Sequence, residues 1–265
     1  MKIVVVGTRG IPDIQGGVET HCEELYPRLA AMGHDVTVVR RSCYVTPQNK
    51  IKEYRGVHLK DIYAPRRKSI EAIVHTFLAI IYARWVGADV LHIGPALLTP
   101  LARLLGLRVV MTHHGPDYDR QKWNKTAKSV LRWGERMGAN YANEVIVIST
   151  VIDNILREKY DRTDAHLIYN GVNKPVPAKN DSYIRSLGLT PRRYVLAVGR
   201  FVEEKGFDLL IKAFARISDS NCKLVIAGDA DHEDHYSVSL KRLAEEHHVV
   251  LTGFVRGAKL NELFS

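Results

Sequence analysis

The chain has 265 residues, 46% of them hydrophobic and 25% charged, with a formal net charge of +9. That is ordinary globular composition, in a chain long enough to bury a core without metal or disulfide staples. Residues 1–6 are too short an apolar run for a signal peptide, and the longest apolar stretch, 77–83, is too short to span a bilayer. The basic balance speaks to partners rather than fold, since nucleic acid, anionic lipid and phosphorylated substrates all carry the complementary charge.

Taken in chain order, residues 2–6 read as a strand ending at Gly7. Residues 18–32 have helical spacing, with Val18, Cys22, Leu25, Leu29 and Met32 on one stripe and Gly33 as the C-cap. A strand at 35–39 completes a βαβ unit, which implies a parallel sheet. The alternation continues with a helix at 69–85, a strand at 88–93, a helix at 95–105 and a strand at 108–112. Next come a helix at 125–142, a strand at 144–148, a helix at 150–159 capped by Ser149 or Thr150, and a strand at 165–168. Residues 173–182 hold two prolines and few apolar side chains, and read as a linker. A second series follows: strands at 194–198, 223–227 and 249–251, with helices at 207–217, 237–246 and 258–264. The expected fold is therefore α/β, with two Rossmann-like doubly wound lobes at 1–174 and 175–265, the second incomplete. The three cysteines, Cys22, Cys43 and Cys222, form no CxxC pair or zinc pattern and suit a reducing cytoplasm.

Ligands of open α/β sheets lie beyond the carboxyl ends of the strands, so the loops there are where chemistry is expected. The first is Gly7-Thr8-Arg9-Gly10, leading to Gly16-Gly17-Val18-Glu19. Paired glycines at a helix start let backbone N–H groups approach an anion, or simply make a tight turn. The spacing fits neither the dinucleotide fingerprint nor a Walker loop. The second is His113-His114-Gly115-Pro116-Asp117, a polar strand end with no third metal ligand in place. The third is Tyr169-Asn170-Gly171, a turn between the lobes. The fourth is Gly199-Arg200-Phe201 with Glu203-Glu204-Lys205-Gly206. An Arg and a Lys five residues apart at a helix start suit a diphosphate, the Arg as a bidentate fork and the Lys as a mobile charge. A solvated charge cluster is the competing reading.

In this order and on two βα series, these four motifs resemble the large glycosyltransferase family 4 (group 1), of GT-B architecture. The resemblance covers nearly the whole chain, and 198–206 is its most specific part. The opening and the run Asp119-Arg120-Gln121-Lys122-Trp123 also look like the rhamnosyltransferase-like branch, in which an acidic residue often stands where His114 is. The resemblance implies a retaining transfer of a hexose from a nucleotide-diphosphate sugar, held between the lobes, to a hydroxyl of a glycan or lipid-linked glycan. It implies that Arg200 and Lys205 hold the donor diphosphate in place of a metal, with no cofactor. Gly16, Gly17, Asn170 and Gly171 would lie at the phosphates, and His114 would sit beneath the transferred sugar with Asp117 nearby. Phe254 and Val255 would lie against the nucleobase, although Phe254 also reads as core. The family's two glutamates, with seven residues between them, belong beyond residue 265, so the chain reads as lacking the end of its donor lobe. A non-catalytic nucleotide-binding fragment, or a nucleotide-sugar 2-epimerase of the same architecture, are the other readings, and the 199–206 pattern argues against the epimerase.

The expected location is the cytoplasm, at or near the inner face of a membrane. Basic residues cluster at Arg40-Arg41 and at Arg66-Arg67-Lys68, the latter just before the apolar helix that ends at Trp85. That pattern fits peripheral membrane contact, and packing of the helix on the sheet is the alternative. Nucleic acid is not an expected partner, because the cations are not interleaved with aromatics.

Overall fold

Alternating β-rich runs and helices fold the chain into two parallel-sheet units, Met1–Gly171 and Val172–Ser265. The computed structural model describes all residues except 68–69, 95–96, 117, 119–124, 175, 218–220 and 231–232. Asp117, the 119–123 run and Lys68 therefore lie outside the described residues.

Unit 1 runs β1 (Lys2–Val6), α1 (Gly17–Ala31), β2 (Asp35–Arg41), β3 (Glu53–Tyr54), β4 (Val57–Ile62), α2 (Glu71–Trp85), β5 (Val90–Ile93) and α3 (Thr99–Leu104). It continues with β6 (Val109–His113), α4 (Lys125–Tyr141), β7 (Glu144–Val147), α5 (Thr150–Tyr160) and β8 (His166–Leu167). The sheet order is β3-β4-β2-β1-β5-β6-β7-β8, and every pair is parallel except the β3–β4 hairpin. Period-2 alternation gives the sheet two apolar faces. Val4, Val6, Leu91, Val109 and Val145 join Ala79, Ala102, Ala139 and Ile152 under α2, α3, α4 and α5. Ile3, Val5, Val36 and Val38 instead pack with Cys22 and Tyr26 under α1.

The hairpin is absent from the sequence reading. Its signal is the pair Arg55-Gly56 between Tyr54 and Val57: both have positive φ, 49° and 82°, as a two-residue reversed turn requires. The basic pair Arg40-Arg41 is also corrected. Arg40 is buried, with its guanidinium on Asp61 at 2.7 Å and on the carbonyls of Asn49 and Ile51. Arg41 is paired to Glu71 at 2.7 Å. Both serve the interior rather than a surface patch.

Unit 2 runs α6 (Ser182–Ser186), β9 (Tyr194–Val198), α7 (Phe207–Phe214), β10 (Lys223–Ala227), α8 (His235–Glu246), β11 (Val250–Gly253) and α9 (Gly257–Phe264). Its three strands are parallel in the order β11-β10-β9. Leu224 and Ile226 pack under α7 and α8 with Phe207, Ile211 and Leu240. Val225 and Ala227 pack the other way, against Ile184 of α6 and Leu263 of α9.

Candidate functional site

The two adjacent histidines at the end of β6 face opposite sides of the sheet, as successive strand residues must. His113 lies in the strand rather than the loop and is fully buried on the α4 side. Its Nδ1 accepts the Gly115 N–H at 3.1 Å, which leaves Nε2–H to donate to Glu135 at 2.8 Å. The other Glu135 oxygen accepts from Tyr160 Oη at 2.7 Å and Tyr118 Oη at 3.1 Å. Burial alone raises a carboxyl, but the bonds from His113, Tyr160 and Tyr118 outweigh it and hold Glu135 below its ordinary value. His113 is thus a fixed strut that holds the backbone through which His114 reaches the edge.

His114 faces the α1 side. Its ring stands edge-on to His21 of α1, centroids 5.0 Å apart, and the His21 side chain is bonded to Asn170. Below them His92 of β5 bridges Tyr26 Oη, at 2.9 Å from Nδ1, and Thr112 Oγ1, at 2.7 Å from Nε2. Burial, reinforced by the neighbouring imidazoles, lowers both His114 and His92 to about 4. Burial lowers His21 as well, against the opposing pull of its Asn170 bond. At neutral pH this edge is polar and uncharged. His21 and His92 carry no local motif and were not anticipated. The alternation of β5 and β6 is the signal that would place His92 and His114 on one face.

The glycine loop after β1 is also internally satisfied. Glu19 is buried, and one of its oxygens accepts the Arg9 N–H at 3.1 Å and the Thr8 hydroxyl at 3.3 Å. A Cβ on Gly16 would stand 1.9 Å from the other Glu19 oxygen, so Gly16 is what admits this carboxylate. Gly17, the first residue of α1, faces open space. His21 follows one turn along the same helix. Gly16, Gly17, His114 and Asn170 thus belong to one carboxyl edge of unit 1, and Gly171 closes that unit.

In unit 2 the three strand ends are tied together. Gly199 N–H donates to Ala227 O and Gly228 N–H to Gly253 O, both at 2.9 Å. A Cβ on Gly228 would stand 1.8 Å from the Gly199 carbonyl oxygen. Beyond this knot Phe201 is buried, edge-to-face with Phe207 at 6.1 Å. The 3-10 turn Glu203–Lys205 leads through Gly206, at φ 61°, into α7. The result anchors the turn by its phenyl ring while Arg200 is half-buried and Lys205 exposed. The Lys205 stem runs past Gly199, with Cε 3.6 Å from where a Gly199 Cβ would be. After β11, Phe254 is 49% exposed with the Arg256 guanidinium 4.9 Å over its ring, whereas Val255 packs on the α6–α9 core. Phe254 is therefore not core. Among the described residues no group of three or more His, Cys, Asp or Glu side chains could hold a metal ion. No helix among them is long and apolar enough to cross a membrane.

Comparison with known proteins matches residues 15–174 to the model of Glycosyltransferase Family 4 and residues 180–265 to that of Glycosyl transferases group 1. The chain belongs to this glycosyltransferase family, and its two Rossmann-like units in series are of the GT-B type. It is 26% identical to an uncharacterised glycosyltransferase of Methanocaldococcus jannaschii, over 100% of this chain and 72% of that protein. It is 27% identical to the alpha-maltose-1-phosphate synthase of Mycobacterium tuberculosis, over 87% of this chain and 62% of that one. In structure it resembles sucrose-phosphate synthase from Thermosynechococcus elongatus, with a TM-score of 0.75 at 22% identity over 100% of this chain and 73% of that one. It also resembles Anabaena HepE in complex with UDP-glucose, with a TM-score of 0.75 at 18% identity over 99% of this chain and 71% of that one.

Proposed function

We propose that the protein transfers a hexose, with retention of configuration, from a nucleotide-diphosphate sugar to a hydroxyl of a glycan or lipid-linked glycan. The observation that carries this reading is the anchored, cation-bearing turn of unit 2. Arg200 takes the diphosphate as a fork and Lys205 as a mobile charge, and together they stabilise the charge that builds as the sugar–phosphate bond breaks. In unit 1, Gly17 leaves the start of α1 open to an anionic group. Phe254 gives the nucleobase a half-exposed ring to stack on. Membership of the family and the likeness to a protein solved with UDP-glucose support the donor class.

His114 serves the sugar. Retention requires the acceptor oxygen to arrive on the face from which the diphosphate departs. The bond from the anomeric carbon to the diphosphate breaks, the bond to the acceptor oxygen forms, and the acceptor's proton passes to a phosphate oxygen. A cation beneath the anomeric carbon would oppose the positive character of that transition state. An imidazole lowered to about 4 stays neutral there and can still orient a sugar hydroxyl.

The test is calorimetric titration of the chain with UDP, GDP and dTDP without added metal, repeated on Arg200→Ala/Lys205→Ala. One nucleotide should bind selectively. The double variant should lose about a hundredfold or more in affinity, as expected for two charge-assisted contacts. Equal binding by the variant sinks the assignment of the turn. Product anomers read by NMR, from turnover with the matching sugar donor, decide retention.

A further inference from the structure

The helices on one side of unit 1 carry a pattern that sugar transfer does not use. α2 is apolar around its whole circumference. Its inner face packs Ala79, Ile80 and Ala83 into the core under the sheet. Its outer face leaves Ile73, Phe77, Ile81 and Trp85 exposed, the last at 81%. Their spacing of four puts them on one line along the helix, where a surface helix normally turns charge to water. α3 and α4 lie on the same face of the sheet, since Ala102 and Ala139 join the same core cluster. They extend the exposed apolar surface with Leu104, Val130 and Trp133.

The charges on this surface have one sign. The only acids in α2, α3 and α4 are Glu71 and Glu135. Both are buried, Glu71 on Arg41 and Glu135 on His113. Arg84, Arg103, Lys125 and Arg136 are exposed, as are Arg66 and Arg67 leading into α2. Acids return on the next helix, α5, with Asp153 and Glu158, so their absence is local to these three.

We infer that the outer face of α2, α3 and α4 docks on an anionic lipid bilayer. Ile73, Phe77 and Ile81 enter the acyl boundary, Trp85 and Trp133 sit at headgroup level, and the arginines reach the lipid phosphates. A second copy of the chain fits poorly, because a two-fold contact would oppose like charges. Nucleic acid would satisfy the cations but leave Ile73, Ile81, Leu104 and Val130 without an apolar partner. The inference is independent of the donor and acceptor assigned above.

Flotation of the full chain with phosphatidylcholine vesicles, with and without phosphatidylglycerol, tests it. The chain should float with the anionic vesicles, and at least about tenfold less with neutral ones or in high salt. Tryptophan emission should shift to the blue on binding. Phe77→Ser/Trp85→Ser should weaken binding by at least about tenfold, and Arg84→Gln/Arg136→Gln should abolish the preference for anionic lipid. All four side chains are exposed, so circular dichroism melts of both variants should match the parent. Failure to bind anionic vesicles, or binding that the variants leave unchanged, overturns the inference. So does capture of a labelled single-stranded oligonucleotide in place of vesicles, or self-association that Phe77→Ser/Trp85→Ser abolishes.

Discussion

In unit 1 the turn after β1 brings its own anion. Glu19 fills the space that Gly16 leaves open and takes up the Arg9 N–H and the Thr8 hydroxyl. In unit 2 the turn after β9 is spaced by Gly199 and Gly228 in much the same way, yet it carries Arg200 and an exposed Lys205. Both are glycine-bearing strand-to-helix turns. The difference lies in the side chains: a buried carboxylate takes up donors of the first turn, whereas backbone N–H groups of the second bond to carbonyls and the turn carries two cationic side chains. A glycine-rich turn is thus not an anion site by composition; the charged side chains it carries, and where they are held, decide. The histidine edge follows the same logic, being polar but uncharged, with His92 held between Tyr26 and Thr112.

The largest test of this comparison is Gly228→Ala. The new methyl would meet the Gly199 carbonyl oxygen at 1.8 Å, from a backbone with φ 143°. Backbone cannot yield as a flexible side chain can, so the ends of β9 and β10 must separate. The expected cost is roughly 4 kcal/mol, with nucleotide affinity lost at the same time. Hydrogen exchange at Ala227 and Gly199 would register it. Unchanged protection at these amides would show that the knot is softer than its geometry implies.

The next effect separates the units by pH. His75, His92 and His114, all in unit 1, are each lowered by burial to about 4, from an ordinary value of 6.5. Below the unfolded value the unfolded chain binds more protons than the folded one. The stability gained by keeping these rings neutral is therefore complete above about pH 6.5 and falls away toward about pH 4, by on the order of 1 kcal/mol per histidine. All three tryptophans, Trp85, Trp123 and Trp133, fall in the sequence of unit 1. Denaturant midpoints read by their emission should therefore fall across that window. If they stay flat, the histidine edge is wetter than described.

Much of this was legible in the sequence, and where it was not the reasons are physical. Strand and helix order follow from local periodicity, so the alternation emerges within a few residues of the observed ends, except that β3 and β4 were not read. The Arg200–Lys205 turn was legible because its residues are consecutive. The Glu135 strut was not: His113, Tyr118, Glu135 and Tyr160 meet only after β6, α4 and α5 pack, and no local pattern encodes that meeting. His21 is likewise invisible in a helix stripe until Asn170 and His114 arrive beside it. The glycine pair of α1 was read as one device and is two. Gly16 is fixed by Glu19, while nothing stands near Gly17.

That division gives the smallest structural effect and the sharpest functional one. Gly17→Ala adds a methyl where no heavy atom lies within 4 Å, at the first residue of α1. Alanine is also the better helix former, so stability should change by no more than about 0.5 kcal/mol, in either direction. A ligand that approaches the helix start closely would meet the methyl instead of bare backbone. If unit 1 offers this N-terminus to the donor phosphates, Gly17→Ala should weaken nucleotide affinity roughly tenfold while the thermal melt stays put. If affinity is also unchanged, Glu19 is the only anion this loop accommodates, and the diphosphate belongs wholly to Arg200 and Lys205. Either result fixes how many of the two glycine turns the phosphates use, because the substitution leaves the fold out of the answer.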